Sequence, residues 1–420
     1  MGKCKIIIME TCGIVSEFNP FHRGHRELIR QIREEFSEAV GIVAVMSASF
    51  TQRGEPALYD ISHRVRTALD EGVDLIIEIP VSFVLNSAES FAQAGIGLLQ
   101  ASGVVRNLAY GSEDSDFPEL IKDLAFFLSD EPAEFKVLLD QNIRRGMGFA
   151  AARQAAVSMC MANENAGRVL ANSNSILAVE YEKAIIRSGK ELATHPLPLY
   201  QKSRFSASKI RDLAADAVSG RPEDNKANLL RLLHPYMTPS SLAELVSAYQ
   251  EQEAVVFLHH FAPLLHSQPI WRDRELLATI QGMQNGLADR FVNHLGKLDS
   301  KLSAENFSDW LESIATRAFP LSRVRRALLS AMLNISQEDT QNSKVEFLRI
   351  LGFSKRGQTL LGYMKETASL PVITRSADWQ KIDSESGLLQ KDLCFTAGNL
   401  WKSRLKKACN LEETRQTVRI

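Results

Sequence analysis

The chain has 420 residues, a formal net charge of −1 and 45% hydrophobic residues, a composition typical of a globular protein of two or three domains. No apolar run approaches the roughly 20 residues that a membrane-spanning helix needs, so no membrane span is expected. The five cysteines are scattered and form no CxxC pair, which argues against a disulfide scaffold or a cysteine-rich metal site and predicts a cytoplasmic location.

Short apolar runs alternate with helix-like segments through about the first quarter of the chain. Four runs are predicted to form buried strands: CGIVSEF, AVGIVAVMS, DLIIEIP and NLAYGSE. The segments between them, HRELIRQIREEF, ISHRVRTALDEG and SAESFAQAGIGLLQASG, have the period of helices. This alternation predicts βαβ units on a parallel sheet buried on both faces, with ligands bound at the carboxyl ends of the strands.

The chain then becomes mostly helical from residue 117 to residue 188. LATHPLPLY, at 192–200, can return one strand to the sheet, and SASKIRDLAADAVSG is predicted to begin a helix with a serine cap. GRPEDNKAN, at 220–228, combines glycine, proline and charge without periodicity, which predicts a linker. We therefore expect two domains, 1–220 and 221–420.

The second expected domain is almost wholly helical in pattern, with an interruption near SLPVITR, and it carries most of the positive charge. Residues 321–420 hold seventeen Lys and Arg against ten Asp and Glu, with the runs RVRR at 323–326 and KSRLKK at 402–407. A basic end on an otherwise acidic chain is consistent with nucleic-acid binding. Charge alone is equally consistent with solvated helix faces.

The stretch FNPFHRGH follows the first predicted strand and opens the first predicted helix. Free backbone N–H groups and the positive end of the helix dipole suit a phosphate there. Gly24 lets the backbone approach closely, Pro20 stiffens the turn, and His22 and His25 project toward the same place. Imidazoles hydrogen-bond phosphate oxygens and, when protonated, offset charge on a pentavalent phosphorus. The alternative, two incidental histidines at a helix cap, fits this context less well.

Three further polar stretches follow strands or open helices, and each has an ordinary structural alternative. Gln52, Arg53 and Glu55 lie in a loop after the second strand, where Arg53 can meet an anionic substrate group or simply be solvated. Gly111 ends the fourth strand and can let an adenine or ribose pack on the backbone, or form a turn. Asn174 stands at a helix start, as an N-cap first and a ligand contact second.

RFSASKIR supplies a second helix N-terminus that can hold phosphate. Ser206 and Ser208 lie at its start, and Lys209 and Arg211 fall in the first turn. Cations at a helix N-terminus are unfavourable unless an anion is also present, so this local conflict favours a bound polyphosphate over a simple cap.

HRGH and FSASKIR together resemble the motifs of the HxGH nucleotidyltransferase superfamily. The blocks GIVSEFNPFHRGH, AVMSASFTQRGEPAL, GVDLIIEIP, NSAESFAQAGI, YGSED, NSILAVEY and SASKIR, in this order, look like the tRNA(Met) cytidine acetate ligase family over most of residues 12–215. The resemblance implies an α/β fold, with a Rossmann-like parallel-sheet nucleotidyltransferase domain of the HIGH type at 1–220. A mostly α-helical, basic, tRNA-binding domain at 221–420 would follow it.

The same resemblance implies the reaction and its substrates. Acetate would be activated with ATP as acetyl-adenylate, releasing pyrophosphate, and the acetyl group would pass to the wobble cytidine of elongator tRNA(Met), giving N4-acetylcytidine. Mg²⁺ is expected only in company with ATP, because no dedicated set of metal ligands is visible. No protein partner is evident in the sequence.

The resemblance also carries over a set of site residues. His22 and His25 are the expected catalytic residues. The expected ATP-binding residues are Val15, Ser16, Glu17, Phe18, Asn19, Pro20, Phe21, His22, Arg23, Gly24, His25, Arg26, Glu27, Leu28, Gly111, Asn174, Lys202, Ser206, Ser208 and Arg211. The chain departs from the family before SASKIR, where the family's nucleotide-binding arginine has no clear counterpart. Gln201 or Lys202 would take its place, and a lysine binds phosphate as a point charge, not bidentately.

Two other functions remain open at this stage. A small-molecule adenylyltransferase of the same superfamily, making a cofactor, would leave the long basic C-terminal half without a purpose. A non-catalytic RNA-binding protein with a vestigial nucleotide site would have little reason to keep both His22 and His25.

Overall fold

The computed structural model describes residues 9–296, 303–407 and 409–420, so residues 1–8, with Cys4, lie outside the described residues. Within these ranges the chain forms eight strands and twenty α-helices. The strands are β1 (Thr11–Ser16), β2 (Gly41–Ser47), β3 (Leu75–Ile79), β4 (Asn107–Ser112), β5 (Ala193–Pro198), β6 (Leu348–Phe353), β7 (Val372–Ile373) and β8 (Val418–Arg419).

The helices fall into two groups along the chain. The first ten are α1 (Arg23–Glu35), α2 (Ile61–Asp70), α3 (Val81–Val84), α4 (Ala88–Ala101), α5 (Pro118–Ser129), α6 (Ala133–Arg144), α7 (Phe149–Cys160), α8 (Glu164–Val169), α9 (Ser173–Ser188) and α10 (Ala207–Ala217). The last ten are α11 (Pro222–Leu233), α12 (Pro239–Gln252), α13 (Pro263–Ser267), α14 (Arg274–Thr279), α15 (Leu287–Leu295), α16 (Ala304–Ile314), α17 (Leu321–Met332), α18 (Gln337–Thr340), α19 (Lys355–Thr367) and α20 (Glu385–Lys402).

One sheet runs through the molecule in the order β5-β4-β1-β2-β3-β6-β7, with β8 also paired to β6. The five strands from the first half of the chain are mutually parallel, and β6 joins β3 in the antiparallel sense. The carboxyl ends of β1 to β5 therefore meet at one edge, as the alternating pattern predicts. The predicted Rossmann-like α/β fold is confirmed.

Both faces of the sheet are covered, because alternate residues of the apolar strands point to opposite sides. Val43 and Val45 of β2 pack in the core beneath α4 and α9. Ile42, Ala44 and Met46 of the same strand pack in a second core against α1 and α2. All seven residues of β2 are buried, which explains why its sequence is a continuous apolar run.

The predicted linker at 220–228 is wrong, because α11 begins at Pro222 inside it. Proline is well suited to the first helical turn, where its missing N–H leaves no hydrogen bond unmade. Glu223 and Asp224 follow in that turn and interact favourably with the positive end of the helix dipole. Proline and charge therefore mark a helix start here, not a flexible segment.

The second half of the chain is mostly helical, as predicted, but it also adds three strands that the sequence did not predict. The apolar run LRILGF forms β6, and its register with β3 includes Ile350 opposite Ile77. A six-residue apolar run cannot be assigned to strand or helix by periodicity alone.

The division of the chain at residues 220 and 221 stays a prediction, and the sheet extends across it. None of the described helices has the length and apolar character needed to cross a membrane.

Candidate functional site

A cavity of about 430 Å³ opens at the carboxyl ends of β1, β4 and β5. Three helix N-termini face it: His22 caps α1, Asn174 lies in the first turn of α9, and Ser206 caps α10. Helix N-termini present unpaired N–H groups and a positive dipole end, so their convergence makes a site for an anion with several charged groups.

The cavity gathers most of the residues that the sequence singled out. Those that line it are Val15, Ser16, Glu17, Phe18, Asn19, His22, Gly24, His25, Leu28, Gln52, Arg53, Gly111, Asn174, Lys202, Ser206, Ser208 and Arg211. Lys202 lines the cavity, whereas the neighbouring Gln201, the other expected substitute for the family's arginine, does not. Contact of these residues with a nucleotide stays a prediction.

Five expected ATP-binding residues do not line the cavity: Pro20, Phe21, Arg23, Arg26 and Glu27. Phe21 is fully buried in the core under the site. The three charged residues, Arg23, Arg26 and Glu27, contact other partners instead of the cavity. Arg23 donates to the carbonyl of His234 at 3.4 Å, Arg26 pairs with Glu71 at 2.5 Å, and Glu27 pairs with Arg30 at 2.6 Å.

His22 and His25 form a stacked pair at the start of α1, with ring centroids 3.7 Å apart. The backbone N–H of Gly24 donates to His22 Nδ1 at 3.1 Å, and the N–H of His22 donates to His25 Nδ1 at 3.2 Å. Each Nδ1 thus acts as an acceptor, so in the neutral ring each Nε2 carries the hydrogen. The pair presents two N–H donors beyond those of the helix backbone.

Burial keeps both histidines neutral. It lowers the pKa of His22 to about 4, and burial together with the neighbouring His22 holds the pKa of His25 well below its ordinary value. Before a phosphate binds, these rings therefore offer hydrogen bonds without a formal charge near pH 7. An offset of phosphate charge by protonated imidazoles stays a prediction.

Among the described residues that line the cavity, Arg53, Lys202 and Arg211 carry the positive charge, and Glu17 is the one carboxylate. Glu17 Oε1 accepts a hydrogen bond from the Gln52 backbone N–H at 2.6 Å. Burial raises the pKa of Glu17, although the Gln52 hydrogen bond and nearby arginines oppose the shift.

The ends of β1 and β2 are held by Arg64, a fully buried residue that sequence reasoning missed. Its guanidinium donates to the carbonyls of Glu17, Phe18, Ser47 and Ala48. Burial lowers its pKa to about 10, which still leaves it charged at neutral pH. Arg64 therefore fixes the backbone that carries the cavity edge, and an ISHRVR helix pattern gives no hint that its arginine points inward.

The loop 49–58 after β2 is fixed from two sides. Asn19 Nδ2 donates to the Pro56 carbonyl at 3.1 Å, and Asn19 Oδ1 accepts from Leu58 N–H at 2.7 Å. Arg325 of α17 pairs with Glu55, and Arg326 donates to the Gln52 carbonyl at 3.0 Å. The RVRR run thus orders the loop that presents Arg53, instead of lying free on the surface.

Glu113 connects the start of α9 with Lys202. It pairs with Lys202 and accepts from Asn174 Nδ2 at 3.1 Å and from Ser175 N–H at 3.0 Å. Although burial disfavours its charge, the Lys202 hydrogen bond holds the pKa of Glu113 below its ordinary value. A phosphate bound near Lys202 would compete with Glu113 for the ammonium group.

The SASKIR segment divides its cations between two directions. Ser206 Oγ caps α10 by accepting from the Lys209 N–H at 3.3 Å. Arg211 lines the cavity and donates to the Asn19 carbonyl at 3.0 Å, whereas Lys209 lies over the Tyr236 ring at 4.8 Å. Arg211 is therefore the cation of this segment that is directed to the site.

The apolar part of the cavity was not predicted from the sequence. Phe91, Leu177 and Tyr181 line it from α4 and α9, and Tyr200 and Phe205 add rings from the segment before α10. Flat apolar walls beside an anion site suit a nucleobase. Phe91 and Tyr181 are buried helix residues, so no local pattern separates them from other buried residues.

Within the residues that the structure describes, no three His, Cys, Asp or Glu side chains lie close enough together to hold a metal ion. Mg²⁺ in company with ATP stays a prediction. Such an ion is usually held through phosphate oxygens and water with few protein ligands, which this cavity permits.

Comparison with known proteins extends over nearly the whole chain. Residues 9–416 match the profile of the HIGH Nucleotidyl Transferase family. The chain is 31% identical over 394 residues to the tRNA(Met) cytidine acetate ligase of Caldanaerobacter subterraneus, covering 92% of this chain and 94% of that relative. It is 30% identical over 401 residues to the tRNA(Met) cytidine acetate ligase of Thermotoga maritima, covering 92% and 93%.

The fold is similar to that of a solved relative. The crystal structure of Thermotoga maritima TmcAL bound with alpha-thio ATP superposes with a TM-score of 0.87 and 28% identity, covering 98% of this chain and 100% of that one. The apo form of the same protein gives the same TM-score. The similarity therefore includes both the sheet and the helical second half.

Proposed function

The chain belongs to the HIGH nucleotidyl transferase family and, within it, to the tRNA(Met) cytidine acetate ligases, and from this membership we propose that it acetylates the wobble cytidine of elongator tRNA(Met). Acetate would first react with ATP to give acetyl-adenylate and pyrophosphate. The acetyl group would then pass to N4 of the cytidine, releasing AMP.

One observation carries the adenylation step: three helix N-termini and the His22–His25 pair face a single cavity. An acetate oxygen would attack the α-phosphorus, forming a P–O bond while the bond to pyrophosphate breaks. The two Nε2–H groups would donate to α-phosphate oxygens as charge builds there. Arg211, Lys202 and the start of α10 would hold the β- and γ-phosphates.

ATP is supported as the nucleotide by the cavity and by the solved relative that holds alpha-thio ATP. We propose that the adenine lies against the apolar wall that includes Phe91 and Tyr181, with Gly111 and Asn174 near the sugar. Mg²⁺ would enter with the triphosphate and be held by its oxygens.

Four cysteines are free in the described part of the chain, which supports a reducing cytoplasm as the location.

The tRNA would contact the basic second half, but fewer cations are available than the sequence suggests. Arg325 and Arg326 hold the loop after β2, and Arg349 and Arg415 lie in a buried network with Glu412. Lys406 and Lys407, at the end of KSRLKK, are exposed and are the better candidates for phosphate contacts, although Lys407 also pairs with the exposed Glu253 at 3.0 Å.

The proposal is tested by incubating the protein with ATP, acetate and elongator tRNA(Met), then measuring the mass of the wobble nucleoside. Acetylated cytidine is expected, and omission of acetate or replacement of the wobble cytidine by uridine should abolish it. His22→Ala and His25→Ala should each lose acetate-dependent pyrophosphate release. Unmodified cytidine with folded, ATP-binding protein would overturn the proposal.

A further inference from the structure

Glu17 is an unusual residue for its place, because a site built for phosphates would ordinarily exclude a carboxylate. It lines the cavity beside the stacked histidines and is the one acid among the lining residues. Its Oε1 accepts from the Gln52 N–H at 2.6 Å, and no described residue donates to its Oε2. One oxygen therefore fixes the side chain, and the other is available to a substrate.

The groups around Glu17 keep it compatible with an anionic ligand. The charged and titratable groups that face it are Arg53 in the loop after β2, Arg64 on α2, Tyr181 on α9 and Arg211 on α10. Three of these are cations, so a carboxylate is tolerated close to phosphates. Burial acts in the opposite direction and raises the pKa of Glu17, which makes it a stronger base than an exposed carboxylate.

Acetyl transfer needs a base that the histidines cannot supply. The N4 amine of cytidine is conjugated with its ring and is a weak nucleophile, and it must lose a proton as it becomes an amide. His22 and His25 use Nδ1 as an acceptor for backbone N–H groups, so each Nε2 already carries hydrogen. Lys202 is paired with Glu113. Among the described side chains that line the cavity, Glu17 is the carboxylate, and its Oε2 has no described donor.

We propose that Glu17 is the general base of the acetyl-transfer step, a role that rests on the proposed function. Cytidine N4 attacks the acetyl carbonyl carbon, and Glu17 Oε2 takes the proton from N4. The new C–N bond forms as the bond between the acyl carbon and the phosphate oxygen breaks, and AMP leaves with that electron pair. The proton on Glu17 passes to solvent when the products depart.

Glu17→Gln tests this role, because glutamine keeps the oxygen that accepts from Gln52 and loses the basic oxygen. Because Glu17 is also one of the expected ATP-binding residues, acetate-dependent ATP–pyrophosphate exchange is measured on the same variant, and the loss of transfer is expressed relative to any loss of exchange. Single-turnover transfer from preformed acetyl-adenylate to tRNA should fall by at least about 100-fold, the usual contribution of a general base. Glu244→Gln, which changes a partly buried acid on α12 that pairs with His63 and Arg66, should leave both rates unchanged.

The pH profile separates catalysis from positioning. The parent transfer rate should rise with pH as Glu17 ionises, and this rise should vanish in Glu17→Gln. Transfer at the parent rate in Glu17→Gln overturns the role, and so does an equal loss of both half-reactions. A loss of exchange that extra Mg²⁺ restores also overturns it, because Glu17 would then act on the ion that accompanies ATP. A parent protein without acetate-dependent exchange would instead contradict the proposed function itself.

Discussion

His22 and His25 have a chemistry that depends on two backbone hydrogen bonds as much as on the rings. Because Gly24 N–H and His22 N–H donate to the two Nδ1 atoms, both rings are held in one orientation with Nε2–H outward. Phe18 lies edge-on against His25 at 5.1 Å and excludes water from one side. Charge stabilisation by fixed, neutral donors requires no reorganisation when the substrate reacts.

The histidine arrangement predicts a pH response that can be measured on the folded protein. Histidine-ring nitrogen NMR near pH 7 should show His22 and His25 as Nε2–H tautomers, with His22 titrating near its pKa of about 4. The pKa of each ring is lower in the folded protein than in the unfolded chain. Below the ordinary histidine pKa of about 6.5, the unfolded chain therefore binds more protons than the folded protein. The free energy of unfolding should therefore fall as pH drops from about 6.5 toward 4, by roughly 3 kcal/mol from His22.

The matched measurement is the same titration on His22→Asn, whose free energy of unfolding should depend less on pH over that interval. A His22 ring that titrates near 6.5 in the folded parent would contradict the neutral-donor role.

Gly24 leaves the space that the His22 ring occupies. A Cβ on Gly24 would lie 3.0 Å from His22 Cε1 and 3.1 Å from its Nδ1, and 3.8 Å from Phe205 Cβ. Gly24→Ala should push the ring from its hydrogen bond and lower the adenylation rate by at least about tenfold, since small misplacements of catalytic groups cost rate steeply. Stability should change little, because alanine is the better helix former.

Gly362→Ala is the matched control for Gly24→Ala. It lies in α19 with nothing within 4 Å of the added methyl group, and it should leave the rate unchanged. Parent-level pyrophosphate exchange in Gly24→Ala would show that the ring position does not matter to adenylation.

At the scale of elements, the basic runs divide into cations that hold the fold and cations that face solvent. The RVRR run on α17 holds the loop after β2 through the pair between Arg325 and Glu55. Gly54 of that loop packs against α17 so closely that a Cβ added to it would lie 2.6 Å from Arg325 Cβ. KSRLKK begins at the last residue of α20 and is divided as well, with Lys402 paired to Glu412 at 3.0 Å and Lys406 exposed without a described ion pair. Sequence charge alone does not reveal this division, because it depends on partners distant along the chain.

The exposed lysines give a prediction about tRNA binding. Lys406→Ala with Lys407→Ala should weaken tRNA binding and lower the slope of log affinity against log salt by about 1 to 2, because two phosphate contacts are lost. ATP–pyrophosphate exchange should be unaffected, since neither residue lines the cavity. Lys136→Ala, which removes an exposed lysine on α6, serves as the control. An equal loss of tRNA affinity per lysine removed in that variant would show that net charge, and not contact by Lys406 and Lys407, causes the effect.

The sequence predicts elements well where the signal is local and poorly where it depends on distant partners. The first four strands follow from short apolar runs, LATHPLPLY offers the fifth, and the cavity edge follows from their parallel order. β6 could not be assigned because LRILGF becomes a strand only beside β3. The motifs likewise indicate the polar half of the cavity, whereas Phe91 and Leu177 resemble any other buried residue until the helices are assembled.

The whole molecule is joined by a sheet that uses both halves of the chain. Ile350 of β6 is 3% exposed and packs in the core that includes Val43 and Leu75. Trp401 of α20 donates to the Ala57 carbonyl at 2.7 Å, in the loop that Asn19 also holds. The helical second half therefore completes the core of the first and supports the loop at its site.

This shared sheet predicts a single unfolding transition, although the chain was expected to divide at residue 220. All four tryptophans, Trp271, Trp310, Trp379 and Trp401, lie after that position, so their fluorescence reports on the second half. Circular dichroism reports on helices of both halves. The two signals should give coincident denaturant midpoints, because loss of β6 would expose the β3 edge and open the first core.

Ile350→Ala makes this prediction sharper. Truncating a fully packed isoleucine should cost about 2–5 kcal/mol of unfolding free energy and move both midpoints by the same amount. Ile186→Ala, on α9 and 41% exposed, should change the free energy by about 0.5 kcal/mol or less. If Ile350→Ala shifts the fluorescence midpoint alone, the two halves unfold independently and the sheet does not couple the catalytic cavity to the second half of the chain.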